Sequence, residues 1–227
     1  MIKLIEGAYA SFFPRELDAM FRNRAETFSG RLGWEVVVEN GRERDRFDDL
    51  NPLYLVSVDP DTEQYWGSLR LLPTIRPNML RDIFPQLLAG GEMVASPTIW
   101  ESSRICVTAS SEQPIRSKSG VNYVLSELIL GIGEVAILAG LTQVVSVFDA
   151  RICRVLKAAG CDPKIIGAPQ RIGDTMCYAG LFDTGPGPLR AFRRALGIGA
   201  SVLAPGAADW VSLCGEKQLG RRLLASA

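Results

Sequence analysis

The chain has 227 residues, 47% of them apolar, with 25 basic and 25 acidic side chains. That length supports one sizeable core, read as a single domain over residues 1–227, and a neutral chain with no long basic tract gives no reason to expect nucleic acid. There is no histidine, which excludes every triad or metal site that needs imidazole and leaves proton chemistry to carboxylates or to the substrate.

In chain order, Ile2 to Ala8 reads as a first strand. Pro14 to about Phe28 reads as an amphipathic helix, with the proline tolerated in its first turn. Residues 31–52 form a polar segment rich in charge that contains Trp34. Leu53 to Asp59 and Tyr65 to Leu72 look like a hairpin around Asp59-Pro60-Asp61. Thr98 to Thr108 is a further strand. Val121 to Ala139 carries the clearest helical stripe, with Val121, Val124, Leu125, Leu128, Ile132, Val135 and Ala136 on one face. Val144 to Phe148 is a buried strand, Ile152 to Ala159 a helix, Thr175 to Phe182 a strand and Leu189 to Leu196 a short helix. The order suggests an α+β fold, a mixed sheet covered by helices.

The five cysteines, Cys106, Cys153, Cys161, Cys177 and Cys214, form no CxxC pair. Their odd number argues for reduced thiols and a cytoplasmic setting. No segment reads as a signal peptide. The longest apolar stretch, Leu128 to Leu141, contains Glu134 and is too short to span a bilayer.

Several charges fall where the pattern wants apolar residues. Arg24 lies on the stripe Phe13, Leu17, Met20, Phe21, Phe28. A snorkelling arginine would fit it, and so would an arginine facing a pocket and paired with a carboxylate. Asp45, Asp48 and Asp49 follow in a loop, a run that is usually a solvated surface. In Thr98 to Thr108, strict alternation puts Glu101 with Ile99, Ile105 and Val107, and Arg104 with Trp100 and Cys106. A bulge near Ser102 or Ser103 would re-aim both charges toward one cleft. Arg70 is a third charge within a strand and could pair with Glu101 across the sheet. Pattern alone reaches a polar cleft in an α+β domain.

Arg24, Phe28, Trp34, Asp45, Asp48, Arg70, Phe84, Glu101 and Arg104 occur as R-x-x-x-F, W, D-x-x-D, L-R-L-L, I-F-P and W-E-S-S-R-I. This set resembles the signature of the LuxI-type acyl-homoserine lactone synthases. The resemblance implies an N-acetyltransferase-like three-layer sandwich, with a mixed, splayed sheet and helices on both faces. It implies an enzyme that acylates the amine of S-adenosylmethionine from an acyl thioester. The product then lactonises and releases methylthioadenosine, making a quorum-sensing signal without metal or prosthetic group. Acyl carrier protein is a candidate partner, and a membrane is not. An α-amine titrates near about 8, so little base assistance is required of a histidine-free enzyme.

On that resemblance Glu101 is the candidate base, Arg70 positions it, and Arg104 completes the catalytic set. Arg24, Phe28, Trp34, Asp45, Asp48 and Arg104 hold S-adenosylmethionine, the aromatic faces attracting the sulfonium. Met79, Phe84, Trp100, Leu125, Ser146 and Phe148 are acyl-pocket candidates, though plain core packing fits each one singly. If Trp100 and Phe148 both face the pocket it is short, pointing to a short, branched or compact acyl group carried by CoA. Ordinary N-acetyltransferases hold pyrophosphate on a glycine-rich loop. The corresponding stretch here has only Gly120, with Arg116, Lys118 and Ser119 beside it. It could hold the phosphate of phosphopantetheine or be an ordinary helix cap. A plain amine N-acetyltransferase of the same fold and a non-catalytic acyl-binding module are the rival readings.

Overall fold

A computed structural model of the protein describes residues 1–91, 93–109, 121–158 and 160–207. Its elements are β1 (Ile2–Glu6), α1 (Pro14–Ala25), β2 (Val38–Glu39), β3 (Arg42–Glu43), β4 (Leu53–Val58), β5 (Tyr65–Pro73), α2 (Met79–Asp82), β6 (Ile99–Val107), α3 (Tyr123–Leu138), β7 (Gln143–Asp149), α4 (Ala150–Ala158), β8 (Lys164–Ile165), β9 (Gln170–Ile172), β10 (Thr175–Asp183) and α5 (Pro186–Leu196). The main sheet runs β1-β4-β5-β6-β7-β10-β8, with β9 on β10. Every main-sheet pairing is antiparallel except β6–β7.

Two apolar layers sandwich this sheet. On one face Leu17 and Met20 of α1 pack on Ile5, Tyr54, Val56 and Val58. On the other, Val124, Leu125, Leu128 and Val135 of α3 meet Leu53, Leu55, Leu69 and Leu71, with Phe192 and Leu196 of α5 joining them. The α3 stripe is therefore the buried face that its spacing demands. Its N-terminus is capped by Asn122, which accepts from the Leu125 N–H at 3.0 Å. Glu127 and Glu134 are also buried on α3, because α5 and the strands cover the rest of the helix. Glu127 accepts from the Ser57 hydroxyl at 2.5 Å, and Glu134 from the Arg193 guanidinium at 2.7 Å. Such partners offset the cost of burying carboxylates.

The first helix is shorter than its stripe suggested. Regular α-helix ends at Ala25, and the chain continues as a π-helical turn over Glu26–Arg31. Wide turns of this kind are uncommon and cluster at functional sites. The polar segment after it holds a two-stranded hairpin, β2–β3, unforeseen in the pattern reading, around Asn40 (φ 50°) and Gly41 (φ 74°). Two successive positive φ angles are what a tight hairpin turn requires, and Asn-Gly supplies them.

The feature that positions the site is a fork between β6 and β7. They pair in parallel from Ile99 and Gln143 to Ser102 and Ser146, where the pairing stops. Beyond it β6 stays with β5 and β7 with β10, so the two halves of the sheet part. The Ser146 hydroxyl donates to the Ser102 carbonyl at 2.8 Å at the apex.

Candidate active site

Three buried arginines and three carboxylates close into a ring of alternating charge behind β5 and β6. Arg24 bonds Glu43 at 2.5 Å and Asp48 at 2.9 and 3.0 Å. Arg70 bonds Asp48 at 2.8 Å and Asp45 at 2.6 and 3.0 Å. Arg104 reaches Asp45 at 3.0 Å and Glu43 at 2.8 and 3.1 Å. Each acid thus bridges two arginines, and the planar guanidinium fork suits this double duty. The Tyr54 hydroxyl adds a bond to Asp48 at 2.8 Å. Burial alone would raise the Asp48 carboxyl, but Arg24 and Arg70 outweigh it and hold it well below the usual carboxylate range.

Local chain geometry explains why these residues meet. Asp45 and Asp48 form a capping box, Asp45 accepting from the Phe47 N–H and Asp48 from the Asp45 N–H, both at 2.9 Å. The β2–β3 turn returns the chain so that Glu43 lies under α1. On β6 the register slips against β5 between Ser68 and Arg70, opposite Ser103 to Cys106, and Arg104 adopts φ 56°. This bulge, one or two residues past the expected place, changes the phase of the strand. Ile105 and Val107 pack with α3, whereas Arg104 turns to the α1 side with Glu101. Strict alternation, which put Glu101 and Arg104 on opposite faces, is therefore corrected.

The expected Arg70–Glu101 pair is also corrected. Arg70 spends its donors on Asp45, Asp48 and the Ser103 hydroxyl. Glu101 instead accepts the backbone N–H groups of Met79 at 3.0 Å and Leu80 at 2.6 Å, anchoring the start of α2. Burial pushes the Glu101 carboxyl up, and these two bonds with the fields of Arg70 and Arg104 offset only part of that.

A cavity of about 1300 Å³ passes through the fork. On the α1 side it is walled by Phe28, Trp34, Met79 and Phe84, with Glu101 and Arg104 at the crossing. Phe28 and Trp34 lie 5.4 Å apart between ring centres and Trp34 and Phe84 6.3 Å, and the Arg104 guanidinium sits 4.9 Å over Phe28. The Trp34 indole N–H is buried and has no hydrogen-bond partner among the described residues. On the other side Leu125, Ser146 and Phe148 form the wall, continuing to Ile132, Leu189 and Phe192.

Most of the anticipated residues thus surround one space, in two tiers. Phe28, Trp34, Glu101 and Arg104 border the cavity, while Arg24, Arg70, Asp45 and Asp48 brace Arg104 from behind. Leu125, Ser146 and Phe148 border it on the α3 side, whereas Met79 and Phe84, expected with them in the acyl pocket, stand on the α1 side beside Trp34. Trp100 does not border the cavity; it packs, half-buried, against Ala136, Leu141 and Val144, so one of the two walls expected to shorten the pocket is elsewhere. Arg116, Lys118, Ser119 and Gly120 lie outside the described residues. Among the described residues no cluster of His, Cys, Asp or Glu could hold a metal ion, and no helix is long and apolar enough to cross a membrane.

Pattern reading missed Glu43, 1% exposed and shared by Arg24 and Arg104. Two signals pointed to it: the Asn40-Gly41 hairpin turn, and the need of three buried arginines for a third acid beside Asp45 and Asp48.

The family model described as autoinducer synthase matches residues 11–188. An acyl-homoserine-lactone synthase of Agrobacterium fabrum is 39% identical over 172 residues, covering 76% of this chain and 79% of that protein. One from Rhizobium etli is 36% identical over 85% of this chain and 89% of its own. Among solved structures, the CoA-dependent acyl-homoserine lactone synthase MesI superposes with a TM-score of 0.77 at 27% identity, over 91% of this chain and all of MesI. A putative N-acetyltransferase from Lactobacillus plantarum, 16% identical with a TM-score of 0.52 over 81% of this chain and 99% of its own, shares the fold alone. With this match in sequence and architecture, the chain belongs to the autoinducer synthase family, the acyl-homoserine-lactone synthases.

Proposed function

We propose that this acyltransferase joins the α-amine of S-adenosylmethionine to an acyl thioester in the tunnel through the β6–β7 fork. The observation that carries the reading is the division of that tunnel: an aromatic cage on the α1 side, an apolar channel on the α3 side, and Glu101 with Arg104 where they meet. Phe28, Trp34 and Phe84 suit a sulfonium, which their ring faces attract, and the free Trp34 N–H is a donor for the nucleoside or methionyl part.

The neutral amine attacks the thioester carbonyl, Glu101 takes the amine proton directly or through a water, and the carbon–sulfur bond breaks to release a thiolate, to which Glu101 returns that proton. Burial raises its carboxyl above the usual glutamate range, which makes it a stronger base for that exchange. The methionyl carboxylate then attacks its own γ-carbon, the carbon–sulfur bond breaks, and methylthioadenosine departs. Confinement of the two reacting ends supplies the rate for that closure. The ring behind Arg104 keeps the wall fixed throughout.

CoA is the favoured carrier, supported by MesI, described as CoA-dependent. Arg151 and Arg154 of α4 border the cavity, exposed and without an ion-pair partner among the described residues. They offer charge to the donor's phosphates, which a CoA thioester and a carrier-protein thioester both bring. The test is incubation with S-adenosylmethionine and a panel of acyl-CoA and acyl-carrier donors, read by mass spectrometry. Acylated homoserine lactone and methylthioadenosine in equal amounts are expected. Amine acetylation without methylthioadenosine, or binding without product, would overturn the reading.

A further inference from the structure

Phe148 of β7 lies almost parallel to Tyr178 of β10, ring centres 6.2 Å apart, and touches Phe182 at 5.7 Å. Between those two neighbours on β10 stands Gly180. A Cβ at Gly180 would come within 3.1 Å of the outer edge of the Phe148 ring and 2.9 Å of the Pro163 side chain. Gly180 is not among the residues with positive φ, so its backbone has no need of glycine. Its value is the space it leaves, the usual reason for a glycine inside a strand where another group approaches closely. The ring of Phe148 lies down on the sheet because nothing stands beneath it.

With the ring lowered, the apolar wall of the cavity runs on along α3 from Leu125 to Gly133, about 12 Å of helix axis. A Cβ at Gly133 would lie 3.0 Å from the Leu189 side chain of α5, so that end is closed by contact. Trp100 does not intrude. We infer that Gly180, acting through Phe148, sets the length of acyl chain this enzyme accepts, and that the chain it accepts is linear and medium to long. The inference rests on the reading of this cavity as the acyl-donor tunnel.

The test compares butanoyl and dodecanoyl thioesters, on whichever carrier supports turnover, with methylthioadenosine release as the readout. The unmodified enzyme should favour the dodecanoyl donor. Gly180→Ala should lift the Phe148 ring into the channel and lower kcat/KM for dodecanoyl relative to butanoyl by about tenfold or more, the scale of discrimination an apolar pocket gives for chain length. Phe148→Ala added to Gly180→Ala should restore the preference. If Gly180→Ala does not fold, Phe148→Trp, which enlarges the ring over an intact glycine, should produce the same shift. An unchanged ratio in the folded variant, or a butanoyl preference in the unmodified enzyme, overturns the inference. No methylthioadenosine from either donor in the unmodified enzyme would instead overturn the acyl-donor reading itself.

Discussion

The two sides of the fork solve opposite problems. On the α1 side, three arginines are almost wholly removed from water, and most of their guanidinium nitrogens bond Glu43, Asp45 or Asp48, with Ser103 and the Met79 sulfur taking the others. On the α3 side the cavity is bordered by Leu125, Ile129, Ile132, Phe148, Leu189 and Phe192, with Arg151 and Arg154 of α4 beside them. The contrast teaches that buried charge in this molecule is gathered into one mutually paired ring, while the cavity beside it is bordered largely by aromatic and aliphatic side chains. A paired internal charge is worth little in net stability but is costly to orphan, which makes the ring a rigid mount.

The contrast is most severely tested by Arg24→Met, which strands Glu43 and Asp48 without their shared partner. Urea unfolding should show a loss of about 3–5 kcal/mol, with activity falling too; a loss below about 1 kcal/mol would remove the ring's bracing role. Next comes Trp34→Ala. It should cut kcat/KM for methylthioadenosine release by about thirtyfold or more, corresponding to about 2 kcal/mol of desolvated cation–π attraction. Its unfolding midpoint should move far less than that of Arg24→Met.

Two carboxylates then separate by pH. Asp48 is depressed, so its contribution to stability is complete at neutral pH and is lost only as pH falls through the ordinary aspartate value toward the depressed one. Glu101 is raised, so its contribution is complete in acid and is lost as pH rises from the ordinary glutamate value through the raised one. In activity, the acid limb of kcat/KM should lie above the ordinary glutamate range and disappear in Glu101→Gln, leaving the amine limb near about 8. An acid limb unchanged in that variant would assign it to another group. The smallest effect is expected of Trp100→Phe. It should cost about 1–2 kcal/mol of core packing and leave the ratio between short and long donors within about twofold, since Trp100 does not border the cavity. A larger change in that ratio would return it to the channel.

Much of this was legible in the sequence, because the fold's strands and long helices carry strong periodicity. Charges lodged in apolar stripes at Arg24, Arg70, Glu101 and Arg104 announced a site. What stayed hidden depended on geometry that alternation cannot express. The bulge at Arg104 changes the phase of β6 within a run of ordinary residues, so the true facing of Glu101 and Arg104 and the true partners of Arg70 were out of reach. Trp100 was misjudged for a related reason, since period two says which face a side chain takes and not which side of a fork that face lies on. Glu43 was overlooked inside a charged segment where solvated acids are the ordinary case.

The left-handed backbone at Arg104 has a consequence for strand registry. A non-glycine residue in that conformation costs roughly 1–2 kcal/mol, and β6 could relieve it by sliding one residue along β5. Such a slip would invert every side chain beyond the bulge, carrying Arg104 out of reach of Glu43 and Asp45. The ion pairs therefore act as a latch on the alignment of two neighbouring strands, and the shape of the channel mouth is inherited from that alignment.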